Sequence, residues 1–382
     1  MKIINKIMVA AVSAAAIISC SQEPDKTASG LSAELFSSES EGKETALYVL
    51  NNASGMEVCV TNYGGRIVSV MVPDRDGKMR DVVLGFDNVA NYMDKVNTPT
   101  DFGASIGRYA NRINQGRIVI DGETIQLPQN NFGHCLHGGP DGWQYKVYEA
   151  VQPNDSTIVL TMDSPDGDAG FPGAVKAVVT MTVTSDNAID IRYKAVTTAK
   201  TVVNMTNHAY FNLSGDPTRR VDDHLMQINA DYYTPVDSTF MTTGEIAPVE
   251  GTPMDLRQPV AIGQDIKNFD FVQIRNGNGF DHNWCLNTKG DVTQVAARVV
   301  CPESGICLEV FTDEPGIQFY SGNFLDGTCT GKNAVTYHQS TAFCLETQKY
   351  PDSPNKPEWP SAYLEPGQEY SSHCVYRFST ID

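Results

Sequence analysis

From residue 175 to 195, apolar and polar positions alternate with a period of two. Val175, Ala177, Val179, Met181 and Val183 alternate with mostly polar residues. The pattern resumes at Ile189, Ile191, Tyr193 and Ala195 after Ser185-Asp186-Asn187. Side chains on an extended chain point alternately to opposite faces, so this pattern predicts a β-hairpin with one buried face. Residues 201–205 continue as a further strand, which places His208 near a strand end, where a rigid sheet can present it to a cleft. From about Thr45 onward, short β-favouring runs are broken by Asp76-Gly77, Asp121-Gly122, Asp141-Gly142, Asp166-Gly167, Asn276-Gly277 and Lys289-Gly290. Only 88–95 and 262–269 suggest helical turns, and no long stripe of period 3.6 occurs. The expected fold is all-β, a large antiparallel sandwich or barrel, in one domain from about residue 31 to 382.

The stretch after the hairpin carries the first candidate chemistry. Asn204, Thr206, Asn207, His208, Tyr210, Phe211 and Asn212 set an imidazole among amides, a phenol and an aromatic face. A lone histidine is most often a core or loop residue held by its neighbours. This set also suits a polyhydroxylated ligand with apolar ring faces. The run from Asn204 to Leu213 closely resembles the histidine signature of the aldose 1-epimerase (galactose mutarotase) family, whose fold is a large antiparallel β-sandwich.

Further stretches are similar to the same family, in six separated motifs from about residue 60 to 355. Gly107-Arg108-Tyr109-Ala110-Asn111-Arg112-Ile113 would otherwise read as a solvated loop. The resemblance implies that Asn111 and Arg112 face the sugar, with Arg108 structural. Leu136-His137-Gly138-Gly139 implies that His137 is a second active-site imidazole, whereas His134 has no such match. Trp143-Gln144-Tyr145-Lys146 departs from the Asp-Lys common there. Ser164-Pro165-Asp166-Gly167 and Gly170-Phe171-Pro172-Gly173 resemble an architectural turn before the hairpin. Asp281 and His282 suggest a metal pair at first sight, but neighbours on a strand point to opposite faces. The resemblance assigns Asp281 to sugar hydroxyls. Gln318, in Pro315-Gly316-Ile317-Gln318-Phe319-Tyr320, corresponds to a ligand contact. Glu346 lies in the apolar run Ala342-Phe343-Cys344-Leu345-Glu346, where a carboxylate is costly to bury unpaired. It resembles the family's catalytic glutamate.

The resemblance implies an aldose 1-epimerase that interconverts the α and β anomers of a free aldohexose. Ring opening needs a proton delivered to the ring oxygen while another leaves the anomeric hydroxyl. His208 is expected as the acid, Glu346 as the base and His137 as an assistant. Asn111, Arg112, Tyr210, Asp281 and Gln318 are expected to hold hydroxyls, with no metal or other cofactor. The pH profile should be bell-shaped, with the acid limb set by the carboxylate and the basic limb by the imidazole. Two other classes are open: a noncatalytic sugar-binding lipoprotein with the same cleft, and a lyase or glycosidase. A glycosidase needs two carboxylates flanking the bond, whereas the matching motifs supply one carboxylate and two histidines.

Composition adds the setting. The 382 residues are 41% hydrophobic and 19% charged. The formal charge is 28 − 46 = −18 and becomes 26 − 46 = −20 without residues 1–19, which carry Lys2 and Lys6. Such an acidic body argues against nucleic acid. Lys2, Lys6, the apolar run 7–18 and Ser19-Cys20 read as a signal peptide over 1–19. Cys20 resembles the lipidated cysteine of bacterial lipoproteins, with Ile17 where leucine is usual. The apolar run is too short to span a bilayer. The polar stretch 20–40 is expected to be a flexible tether from a lipid anchor, the chain's one membrane contact, in the bacterial cell envelope on its periplasmic side or at the cell surface. The remaining eight cysteines form no metal signature and read as small buried hydrophobes, with Cys301 and Cys307 the best placed to pair.

Overall fold

The alternating hairpin lies at the centre of the largest sheet. The computed structural model describes residues 26–98 and 100–381, so the leader and Cys20 fall outside the described residues. Val175–Val183 pairs antiparallel with Ala188–Thr197, Met181 facing Ile191, and every apolar position of the alternation is buried. Asn187, at φ +58°, makes the turn. The hairpin sits in a nine-stranded sheet, between Thr157–Ser164 on one side and Tyr370–Thr380 on the other.

A five-stranded sheet packs against it, in the order Ala247–Pro248, Tyr232–Thr234, Asp281–Cys285, Gly316–Tyr320, Cys344–Gln348. A four-stranded sheet, Leu47–Asn51 to Met79–Asp81, adds a further wall. Every strand pairing in these three sheets is antiparallel. One apolar cluster joins them: Met181, Ile191 and Tyr193 from the large sheet, Trp284, Phe319 and Leu345 from the second, Val60 and Ile67 from the third. Each such side chain contributes about 1.5–3 kcal/mol when fully buried. Tyr376 clamps the two larger sheets together by donating its hydroxyl to the carbonyl of Leu345 at 2.7 Å.

The expected helices differ in one place. Asn88 caps the short helix Val89–Met93, its side-chain oxygen accepting from the Asn91 amide at 2.9 Å. Residues 262–269 form only a single 3-10 turn, Ile262–Gln264, and the helix lies further on, at Val272–Gly277. There Ile274 is buried in the core and the Gln273 side chain ties to the backbone of Val236. Tertiary anchoring outweighs local propensity. Asn276-Gly277, expected as a turn, ends that helix, with Asn278 left-handed at φ +53°.

The tether expectation is corrected for its second half. Leu31 and Phe36 are buried, Phe36 packs 6.5 Å from the ring of Tyr92, and Thr45 donates its hydroxyl to the Phe36 carbonyl at 2.7 Å. The polar average over 20–40 hides two large apolar side chains, and the folded body supplies the surface they cover. Cys301 and Cys307 are both unbonded and buried, like the other six described cysteines.

Candidate active site

Three neighbouring strands of the five-stranded sheet turn polar side chains to the same side. In antiparallel register Gln318 stands opposite both Asn283 and Glu346, and Asp281 opposite Tyr320. Alternation therefore sends Trp284, Phe319 and Leu345 into the core. Asp281, Gln318 and Glu346 go to the other face. His282 follows the core-facing set. It is fully buried, its Nδ1 accepts from the Asp281 amide at 3.1 Å, and it does not line the cavity.

Opposite this face, Thr206–His208 pairs with Ala104–Ile106, His208 beside Ala104. His208 thus ends a strand, but the strand expected over 201–205 is cut to Thr201–Val202 and regular pairing resumes only at Thr206. Its Nε2 lies 3.4 Å from Oε1 of Glu346, its ring stacks on Tyr210 with centroids 5.0 Å apart, and His137 meets it edge-on at 5.2 Å. A cleft of about 260 Å³ lies here, lined among others by Asn111, Arg112, His137, His208, Tyr210, Asp281 and Glu346.

His137 and Asn111 fix each other. Both hold left-handed backbone, φ +51° and +64°. The Asn111 amide donates to Nδ1 of His137 at 3.1 Å, and the His137 amide donates to the Asn111 carbonyl at 3.2 Å. With Nδ1 accepting, neutral His137 carries its proton on Nε2. The glycine that follows is required: a Cβ on Gly138, at φ +78°, would stand 2.3 Å from the Gly107 carbonyl oxygen. Arg112 donates through Nε to Asn131 at 3.1 Å, and its guanidinium lies 5.0 Å from the Phe240 ring centroid. Gln318 does not line the cavity but donates to Oδ1 of Asp281 at 2.7 Å, which orients that carboxylate.

Arg108 points away, donating to the carbonyls of Pro172 and Gly173 at 2.9 and 2.8 Å, so the turn before the hairpin is architectural. His134 is also outside the cavity lining, its ring nitrogens bound to the Gln115 amide and the Thr239 hydroxyl. The departure at 143–146 leaves the wall intact. Trp143 is buried where a Cβ on Gly107 would strike its ring, and Gln144 donates to the His137 carbonyl at 3.0 Å.

Burial dominates the electrostatics. It lowers the His208 pKa to about 4, with Arg66 adding to the effect. Burial, then the charges of Asp281 and Asp101, hold the Glu346 carboxyl well above its usual range, against the pull of Arg112. Burial likewise raises Asp281, opposed by Arg112 and Gln318. His137 is held far below the usual imidazole value by burial, His208 and Arg112. Burial thus favours the uncharged form of both groups, the carboxylic acid at Glu346 and the neutral imidazole at His208.

Asp101 also lines the cavity, and sequence reasoning did not single it out. It lies just before the glycine-rich stretch, with nothing local to mark it. Tyr320 lines the wall too; it stands in the Gln318 motif, beside the residue expected to touch ligand.

The ligand atoms of His137, His208 and Glu346 lie within 4.8 Å of one another, close enough for an ion as well as for proton transfer. A second such group is Asp223, His224 and Cys301. There the imidazole is already committed: Nε2 accepts from the Leu213 amide and Nδ1 pairs with Asp223.

The sequence matches the model of the family described as aldose 1-epimerase over residues 46–377. It is 44% identical to the galactose mutarotase of Mus musculus over 324 residues, 85% of this chain and 91% of that one. It is 40% identical to the aldose 1-epimerase of Escherichia coli K12 over 340 residues, 88% of this chain and 96% of that one. The crystal structure of an aldose epimerase homologue from C. elegans superposes with a TM-score of 0.79 at 30% identity, covering 88% of this chain and all of that one. With the sandwich and the polar cavity alongside these matches, the chain belongs to the aldose 1-epimerase family.

Proposed function

We propose that this protein interconverts the α and β anomers of a free aldohexose. The observation that carries the reading is the buried His208–Glu346 pair, 3.4 Å apart at a cavity of monosaccharide size. Opening the ring needs an acid at the ring oxygen and a base at the anomeric hydroxyl of one sugar, and two adjacent titratable groups supply both.

The pair holds one proton in total. Burial favours placing it on Glu346; for reaction it must stand on His208, leaving Glu346 ionised. The two states differ only by transfer of that proton, and hydroxyl donors of a bound sugar favour the carboxylate form of Glu346. Glu346 then takes the proton from the anomeric hydroxyl while His208 gives its proton to the ring oxygen. The C1–ring oxygen bond breaks and an aldehyde forms. Rotation about C1–C2 presents the other aldehyde face, and reversed transfers close the ring as the opposite anomer. Nε2–H of His137 is a fixed donor that steadies the ring oxygen. Asn111, Arg112, Tyr210 and Asp281 hold the other hydroxyls, with Gln318 orienting Asp281. A carboxylate that accepts two neighbouring hydroxyls is sensitive to their configuration.

The leader sequence supports a setting for this activity: export, lipidation at Cys20 and attachment to a cell-envelope membrane, the folded body starting by about residue 27. Mass spectrometry of the N-terminal peptide tests this, since an unmodified mature end elsewhere removes the anchor. The activity is tested by polarimetry of freshly dissolved α-D-glucose and α-D-galactose. Acceleration over the spontaneous drift supports it, and sugar binding without acceleration contradicts it.

A further inference from the structure

The sheet face that carries Glu346 continues past the cavity, and its continuation is polar. Strand register sets Asn283, Gln318 and Glu346 in one row across three strands, and Cys285, Gly316 and Gln348 in the next. Phe211 bridges Phe343 in the antiparallel sense. Carried back along both chains, that register brings His208 level with Glu346, as their contact shows, and Thr206 level with Gln348. Thr206, Asn283, Gln318 and Gln348 are each 3% exposed or less, and none of them lines the cavity. Both amide atoms of Asn283, both of Gln348, Oγ1 of Thr206, Oε1 of Gln318 and Oε2 of Glu346 are buried without a hydrogen-bond partner in the protein. Gly316 lies among them. A Cβ there would stand 2.3 Å from Oδ1 of Asn283 and 2.9 Å from the Tyr350 ring, so Asn283 leans across the glycine towards Gln348.

Unpaired buried amides are costly, and a group of them is where ordered water binds, each molecule making about three hydrogen bonds. A carboxylate only accepts hydrogen bonds, whereas amide N–H groups and water donate them, so such a polar bed favours the charged form of its neighbour. The reaction needs that charged form at Glu346, and burial works against it.

We propose that Asn283 and Gln348 are positioning residues that hold ordered water against Oε2 of Glu346 and so stabilise its carboxylate for proton transfer. This rests on the epimerase reading, which requires Glu346 to be ionised while His208 is protonated. Oε1 faces His208 on the cavity side, which leaves Oε2 to the polar bed behind. The other charges facing Glu346 do not do this work: Asp281 and Asp101 oppose ionisation, and Arg112 favours it without bonding to Oε2. His137, Tyr210, Tyr320 and Cys344 face it uncharged, the imidazole lowered and the other three raised by burial.

Gln348→Met keeps the length of the side chain and removes its donor. The pH dependence of kcat/KM for glucose anomer exchange then separates support of the charge from support of the fold. While the pair holds one proton, only the fraction with Glu346 ionised reacts. A higher Glu346 pKa therefore lowers the plateau and moves the basic limb to higher pH together, about ten-fold in rate for each pH unit. Gln348→Met should lower the plateau of order ten-fold, the scale of a lost hydrogen bond to a charged group, with the basic limb about one unit higher. Gln348→Asn, which keeps the amide and leaves room for a further water, should recover part of both changes. A lower plateau with an unmoved limb, or no change in either, overturns the proposal. If Gln348→Met fails to fold, Asn283→Ala, on the other side of Gly316, decides by the same two readings. If the native protein exchanges no sugar at all, the epimerase reading fails. The carboxylic acid C=O stretch of Glu346, the infrared band missing in Glu346→Gln, then decides the polar bed alone: persistence of the band to higher pH in Gln348→Met upholds it, and loss at the native pH removes it.

Discussion

Two strand sets of this molecule obey the same alternation and put it to opposite uses. In the 175–197 hairpin the apolar positions of the alternation are buried while the other face, among it Lys176, Arg192 and Lys194, turns to water. In Asp281–Cys285, Gly316–Tyr320 and Cys344–Gln348 every residue is buried, polar ones included. One face of those strands meets the core, and the other meets the recessed floor of the site cavity instead of open surface. That second face carries Asp281, Gln318 and Glu346. A sheet face removed from water but left polar forces shifts in proton affinity, as at Glu346 and Asp281. The hairpin supplies stability; the other set places some of that stability at risk to create chemistry.

Substitutions at equivalent depth in the two sets should separate these uses. Glu346→Gln keeps shape and should retain sugar binding while losing about 10²-fold or more in rate, and His208→Asn should do likewise. Near-native exchange in either would break the contrast. Ile191→Ala, in the hairpin core, should cost about 2–5 kcal/mol in urea unfolding and leave the rate per folded molecule unchanged. Asp281→Asn should weaken sugar binding and the reaction by about 1–3 kcal/mol, the scale of a lost charged hydrogen bond. Removing the negative charge of Asp101 as Asn should shift the rate profile: its charge raises Glu346, so the basic limb moves to lower pH, read from exchange at several pH values. Chelator treatment should have the smallest effect, none on rate. Loss restored by a divalent ion would turn the cluster of His137, His208 and Glu346 into a metal site.

The same contrast explains what was legible beforehand. Period-two alternation is local, so the hairpin and its turn could be read directly. His208 and Glu346 were visible because an imidazole among amides and a carboxylate in an apolar strand are each anomalous in their own segment, and both match family motifs. Asp101 was not, because only the assembled cavity makes an aspartate before a glycine-rich stretch significant. The burial of Leu31 and Phe36 depends on a surface supplied by Tyr92 and the strands beyond it. The limb order expected from ordinary carboxylate and imidazole values is exchanged once burial is included, because His208 is driven down and Glu346 up.

The pH dependence of kcat/KM for glucose anomer exchange, corrected for the spontaneous reaction, tests the shared-proton pair most directly. With one proton on the pair the enzyme is active. Activity should fall on the acid side as the pair gains a second proton, towards the His208 value of about 4. On the basic side it should fall as the last proton leaves Glu346, well above the usual carboxylate range. In Glu346→Gln the basic limb should vanish along with most of the rate. A profile whose basic limb persists unchanged in that variant, or a native profile with one transition at an ordinary imidazole value near 6.5, would contradict the account.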